Sequence, residues 1–430
     1  MVLQYLKFQT SIILLLYLFS VNIIYSQIPQ ISGDLRSEII DISNNMPGSG
    51  SNGFAKPSFS TRSQWRMLTS LLLDDDYEAA DSLIQIDFPF YQLIEYTDIG
   101  FENKTYFLLR EKTPITRGWG TFIINPNYDR EIVIEVPHPR FDSNTDRQGA
   151  DVFRRTGSHF LIMTGTHRCA NSEESPCSGT TGACGGSAPF RVSDAAHFDE
   201  AIFQTTHETI AAKYPQGYSI NLHGHGRSNC EDFFLSNGHS TDSKQILFDL
   251  ENNLLAEGGV SVGIAGDGVS TCPLIGSTNV QGRFTNGSSN PCEQAVSSTT
   301  GHFIHVEQSR RIRESITETL KLINAINANI QPLTAIEPVE ITIPQTFELR
   351  AYPNPFNPAT TIEYSLPQPA HVVLKIYNSL GAEVQTLVNK LQNRGTHSHR
   401  FDATNLKSGV YYARIQTTVF TQTIRLVLLK

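Results

Sequence analysis

The sequence predicts an α/β fold, a mostly parallel or mixed sheet flanked by helices, followed by an all-β sandwich at the C-terminal end. Two observations carry this expectation. Between about residues 101 and 330, β-branched apolar runs alternate with stretches of helical spacing, as in sheets whose strands are joined by helices. From about residue 349 the pattern becomes apolar alternation punctuated by Gly, Asn and Pro, as in Thr361-Ile362-Glu363-Tyr364 and residues 372–377.

The elements follow in chain order. Lys7 precedes an apolar run over residues 11–24, with Ser26-Gln27 after it, so residues 1–26 read as a secretory signal. The alternative is a membrane anchor, for which the run is at the short end. Residues 27–100 are expected to be partly disordered, then helical. Positions 28–63 are rich in Ser, Asn, Gly and Pro, while Trp65, Leu68, Leu71, Leu72, Tyr77, Ala80 and Leu83 have helical spacing. Strands are expected at 92–96, 104–110 and 119–124, then at the buried run Ile132-Val133-Ile134 with Val136. Further along, strands are read at 159–164, before His223, at 260–265 and at 302–306. Helices are read from about 151, at 195–212, 246–255 and 313–326. Residues 331–348, with Pro332, Pro338 and Pro344, read as a linker before a domain at 349–430.

Composition narrows the function. A net charge of −9 without a basic block excludes the electrostatic footprint of a nucleic-acid binder. Six cysteines, an even number, fit disulfides in an exported chain. Their spacing points to Cys177 with Cys184 and Cys272 with Cys292 as local pairs. No two-residue spacing favours a structural zinc site.

The chemistry gathers at three strand ends. Pro137-His138-Pro139-Arg140-Phe141-Asp142 places an imidazole and a carboxylate four residues apart, just past a strand. Asp142 also reads as a helix cap, since Asp142-Ser143-Asn144-Thr145 is good capping chemistry. His223-Gly224-His225-Gly226 ends a second strand, with glycines that allow close approach of backbone and ligand. Glu307 closes a third. Catalytic zinc takes three protein ligands and keeps a place for water, whose proton a nearby carboxylate removes. His138, Asp142 and His223 are thus the expected Zn2+ ligands and Glu307 the base. His225 is left to orient substrate or steady an oxyanion. Arg168, near the end of another strand, is placed to hold a substrate carboxylate, with Asn171 adding a hydrogen bond. Ser193-Asp194-Ala195-Ala196-His197 reads as a helix start capped by Asp194, with a role behind the metal ligands as the alternative.

Two resemblances follow. Tyr352-Pro353-Asn354-Pro355-Phe356-Asn357-Pro358, Ile376-Tyr377-Asn378-Ser379-Leu380-Gly381, Leu406-Lys407-Ser408-Gly409-Val410-Tyr411-Tyr412 and the closing Leu-Val-Leu-Leu-Lys resemble a type IX secretion C-terminal sorting domain. That resemblance implies export across the outer membrane of a Bacteroidota-type bacterium, with type IX machinery as partner and the product secreted or held at the cell surface. Residues 118–325 resemble the zinc-dependent N-formylglutamate amidohydrolase and poly-γ-glutamate hydrolase group, within the metallocarboxypeptidase-like fold. The likeness rests on His138 with Asp142, the strand ending in His223, the Arg168 stretch and the strand ending in Glu307. It implies zinc ligands, a substrate-binding Arg and a catalytic Glu at those places, and hydrolysis of an amide beside a carboxylate in a small acidic amide or peptide. The sequence departs from carboxypeptidases in carrying Phe141 and Asp142 where they have His-x-x-Glu.

Two other readings compete. Gly259-Val260-Ser261-Val262-Gly263 matches the G-x-S-x-G of serine hydrolases, which needs a strand before the Ser and a helix after it. The second is a surface protein that binds a ligand without catalysis.

Overall fold

The computed structural model describes residues 28–333 and 346–430, apart from positions 369, 393, 394 and 418. The expected secretory signal and most of the expected linker lie outside the described residues. The chain divides into two units, one up to Leu333 and one from Thr334.

The first unit contains β1 (Gln30–Gly33), α1 (Leu35–Asn44), α2 (Phe59–Leu73), α3 (Tyr77–Asp87), β2 (Tyr91–Asp98), β3 (Lys104–Glu111), β4 (Thr121–Ile124), β5 (Arg130–Val136), α4 (Thr145–Thr156) and β6 (Ser158–Met163). A small hairpin follows, β7 (Thr180–Thr181) with β8 (Ala188–Pro189), then a 3-10 turn at Ala195–His197 and α5 (Ile202–Lys213). The unit closes with β9 (Tyr218–His225), β10 (Phe233–Ser236), α6 (Gln245–Glu257), β11 (Val262–Ile264), α7 (Val280–Thr285), β12 (Phe303–Ser309), α8 (Arg310–Glu314) and α9 (Ile316–Asn329).

One ten-stranded sheet runs through it in the order β1-β2-β3-β4-β6-β5-β9-β12-β10-β11. The centre, β6-β5-β9-β12, is parallel, and β2, β3, β4 and β10 pair antiparallel around it. The sheet is therefore mixed, one of the two expected arrangements. Its central strands are apolar on both faces because both are covered. Ile132, Ile134, Val136, Ile220, Leu222, Ile304 and Val306 belong to one core with α4, α6 and α9. Val133, Phe160 and Ile162 belong to another with Trp65, Leu68 and Phe203. Trp65 Nε1 donates to Thr206 Oγ1 at 2.9 Å, joining α2 to α5. Gly149 lets α4 lie close on β5, where a Cβ would stand 2.6 Å from Val136 Cγ2.

Several expectations shift. The helix read from 151 begins at Thr145, and the stretch 195–212 splits into a 3-10 turn and α5. Part of the expected mobile segment is ordered: β1 pairs with β2, and Leu35 and Ile39 of α1 are buried. Arg36 also pairs with Asp151 of α4 at 2.9 Å. The disulfides are Cys169–Cys184, Cys177–Cys292 and Cys230–Cys272, so both local guesses are corrected. Cys169–Cys184 closes its own loop, while the other two bonds join segments 42 and 115 residues apart.

The second unit has β13 (Glu348–Tyr352), β14 (Ala359–Leu366), β15 (Ala370–Asn378), β16 (Glu383–Gln392), β17 (Gly395–Asp402), β18 (Gly409–Gln416) and β19 (Thr421–Leu428). These form antiparallel sheets β13-β14-β17 and β16-β15-β18-β19. Their inward residues, among them Ile362, Tyr364, Leu374, Ile376, Phe401 and Ile415, share one core, as a sandwich requires.

Candidate metal centre

The site lies beyond the carboxyl ends of the parallel central strands, where open α/β sheets bind ligands. After β5 the chain makes one helical turn, with Asp142 N–H donating to His138 C=O at 2.8 Å. That turn stacks the Asp142 carboxylate under the His138 ring, and both are buried. Asp142 does not cap α4. The cap residue is Asn144, at φ 73°, and the Asp142 carboxylate faces inward. Next to β5, β9 brings in His223, and next to β9, β12 sets Glu307 opposite His223 in register. Glu307 thus sits inside its strand, which extends to Ser309, rather than closing it.

Asp142 Oδ2 stands 3.3 Å from Nδ1 of His138 and 3.3 Å from Nδ1 of His223. These separations are long for hydrogen bonds. They match the donor spacing of a tetrahedral ion with bonds of about 2.0–2.1 Å, roughly 3.3 Å between neighbouring donors. The far nitrogen of His138, Nε2, lies 2.8 Å from Asp194 Oδ1, a carboxylate behind the imidazole of the kind that fixes a metal ligand's ring. Among the described residues, His223 Nε2 is buried without a hydrogen-bond partner. The donor set therefore fits a divalent ion such as zinc.

Asp194 is the pivot of this network. It starts the 3-10 turn, yet its side chain makes no capping bond. Its carboxylate also accepts from Arg168 Nε at 2.9 Å and from Arg168 Nη2, and meets His197 Nδ1 at 3.0 Å. Burial alone would raise its pKa, but Arg168, His197 and His138 together hold it well below the usual carboxylate range. Asp142 follows the same pattern: burial opposes ionisation, and the facing nitrogens of His138 and His223 overcome it. Burial lowers His223 to about 4 and pushes His305 down as well, so both rings are neutral donors at neutral pH. Glu307 goes the other way, raised by burial and by the Asp142 charge.

A cavity of about 260 Å³ opens onto His138, His223, His305, Glu307, Arg168 and His197. Its walls include Thr180 and Thr181 of β7, Phe190, and residues 273–279. His197 stacks on Phe190 with ring centres 3.6 Å apart.

Of the expected residues, His138, Asp142, His223, Glu307 and Arg168 come together. Two are engaged elsewhere. His225 Nε2 lies 2.9 Å from the Glu231 carbonyl and its Nδ1 accepts from Arg227 N–H. The Asn171 amide bonds both backbone groups of Phe54. Gly224 serves Arg313, whose Cζ lies 2.2 Å from where a Cβ would be, so the guanidinium takes that space. Ser261 precedes β11 rather than following a strand, and its Oγ bonds Asp232, so no nucleophile elbow forms. Sequence reading missed His305, although period-two alternation puts it on the same strand face as Glu307.

The comparisons with known proteins bear mainly on the second unit. No curated protein matches the sequence. Among solved structures, PorZ, a surface component of the type IX secretion system of Porphyromonas gingivalis, matches at 22% identity and TM-score 0.15. That match covers 19% of this chain and only 11% of PorZ. An N-formylglutamate amidohydrolase from Ralstonia eutropha JMP134 matches at 14% identity and TM-score 0.29, over 49% of this chain and 94% of that one. A candidate metallopeptidase from Shewanella amazonensis SB2B matches at 10% identity and TM-score 0.26, over 61% and 92%. Residues 350–429 match the model of the secretion system C-terminal sorting domain. The second unit is a type IX secretion sorting domain, and the protein is exported to the cell surface or secreted.

Proposed function

We propose that the first unit is a zinc-dependent hydrolase that cleaves an amide bond next to a carboxylate. The observation that carries this reading is the single oxygen of Asp142 set 3.3 Å from Nδ1 of both His138 and His223, beside a cavity that also holds Glu307. A zinc ion held by His138, Asp142 and His223 would supply Lewis acidity and lower the pKa of water. Asp194 holds the His138 ring in place through Nε2. Glu307 lines the cavity with one buried, unpartnered carboxylate oxygen, and it takes a proton from the attacking water and returns it to the leaving amine. Arg168 keeps Nε and Nη2 on Asp194, and only Nη1, 3.4 Å from His138 Nδ1, is left to meet a substrate carboxylate. His225 and Asn171 have no part in this version, because their polar atoms are engaged outside the cavity.

The substrate class, an N-formyl amino acid, γ-glutamyl polymer or cell-wall peptide, rests on the resemblance to the amidohydrolase group. The test is a panel of N-formyl and γ-glutamyl amides offered to the purified chain with zinc. Turnover lost on chelation and in Glu307→Gln, with the zinc at His138, Asp142 and His223 still bound in that variant, is the expected result. A chain that binds zinc but cleaves none of them would favour the ligand-binding alternative.

A further inference from the structure

We propose a second cation position beside the first, formed by His223, His305 and Glu307. The ligand atoms of these three residues lie within 4.8 Å of one another. Each residue is more than nine-tenths buried and each lines the cavity. Among the described residues, each also carries one buried polar atom without a hydrogen-bond partner: Nε2 of His223, Nδ1 of His305 and Oε2 of Glu307. Leaving a buried polar atom unsatisfied is costly, so three on adjoining strands call for a shared ligand.

The fold explains their convergence. β9 and β12 pair in parallel with His223 opposite Glu307, and His305 lies two residues back on the same face of β12. The rings of His223 and His305 have their centres 4.6 Å apart. Gly276, at φ 71°, presses on the His305 ring, where a Cβ would stand 2.8 Å from Cδ2. The loop therefore packs the ring without bonding its Nδ1. Two imidazoles and one carboxylate make a donor set for a divalent transition ion such as zinc or cobalt.

The inference rests on the metal reading above through one shared ligand. His223 turns Nδ1 to Asp142, and Nε2 is the orphan. A second ion at Nε2 displaces the proton that this nitrogen would carry, so each such ion releases one proton to solvent. Glu307 gives it one carboxylate oxygen and keeps the other for proton transfer.

The experiment is metal loading of the purified full chain with Co2+ and with Zn2+, read by elemental analysis and by the cobalt visible spectrum. The comparison set is His305→Ala, His305→Phe, which keeps ring volume, and His138→Ala, each checked for folding by circular dichroism. Two ions in the wild type falling to one in both His305 variants is the expected result. One ion in the wild type and in both His305 variants overturns the second position and leaves the first intact. One ion that survives His138→Ala and is lost with His305 supports the second position and overturns the first. A wild type that takes up no ion overturns both.

Discussion

Replacing Asp194 with Asn tests whether this buried carboxylate organises the site. Its oxygens receive His138 Nε2 at 2.8 Å, Arg168 Nε at 2.9 Å, Arg168 Nη2 and His197 Nδ1 at 3.0 Å. Asparagine keeps the shape but offers one acceptor oxygen and no charge, leaving the Arg168 guanidinium buried without its partner. Breaking a buried ion pair from one side costs about 3–5 kcal/mol. Because Asn retains part of the bonding, a loss near 3 kcal/mol, about the low end of that range, is expected for the metal-free protein. The second effect falls on the metal. Loss of a carboxylate behind a ligating imidazole weakens metal binding by about 10–100-fold. Urea denaturation measures the first effect, and zinc competition against a chromophoric chelator measures the second. A folded Asp194→Asn protein with wild-type zinc affinity would refute the claim that Asp194 fixes a metal ligand. Unchanged affinity is instead expected for His225→Ala, whose ring bonds outside the cavity.

Other expectations follow from the same geometry. Glu307→Gln should keep the zinc held by His138, Asp142 and His223 and lose roughly 10²–10⁴-fold in turnover, read from steady-state kinetics beside elemental analysis. Without metal, that substitution should also raise stability at neutral pH. Glu307 has a folded-state pKa above its unfolded value of about 4.3, so its contribution is complete below that pH and is lost as pH rises through the raised value. The gain over wild type in urea midpoints should therefore vanish near pH 4. Asp142 and Asp194 behave oppositely. Their folded pKa values are depressed, so the stability they give is full above about pH 3.9 and falls away as pH drops further. Removing the Cys177–Cys292 bond, which closes a separation of 115 residues, should cost up to about 5 kcal/mol on the chain-entropy argument, checked by non-reducing denaturation of the double Ala variant. Ser261→Ala should leave hydrolysis unchanged, and serine-directed phosphonates should not inhibit.

The approach of His138 to Asp142 is the most legible part of the candidate site because its clues are local. Pro137 and Pro139 fix where β5 stops, and the four-residue interval from His138 to Asp142 needs only one helical turn to close. Asp194 was harder. Its neighbours spell a helix start, and only the tertiary arrival of Arg168 and His138 turns its carboxylate inward. Alternation puts His225 on the face of His223, yet it lies two residues further along β9, opposite the last residue of β12, where the Glu231 carbonyl claims its ring. The disulfides failed for the same reason at longer range: loop cysteines were paired by nearness in sequence, while the folded loops meet one another. In the N-terminal segment, polar composition hid the one-turn spacing of Leu35, Ile39 and Ile42, which seats α1 on the core.

The most direct test of the metal centre is an anomalous difference map, collected at the zinc edge, from crystals of the zinc-loaded chain. A peak bonded to Nδ1 of His138, Nδ1 of His223 and the Asp142 carboxylate is the expected result. Zinc-saturated crystals with no density among those three side chains would contradict it.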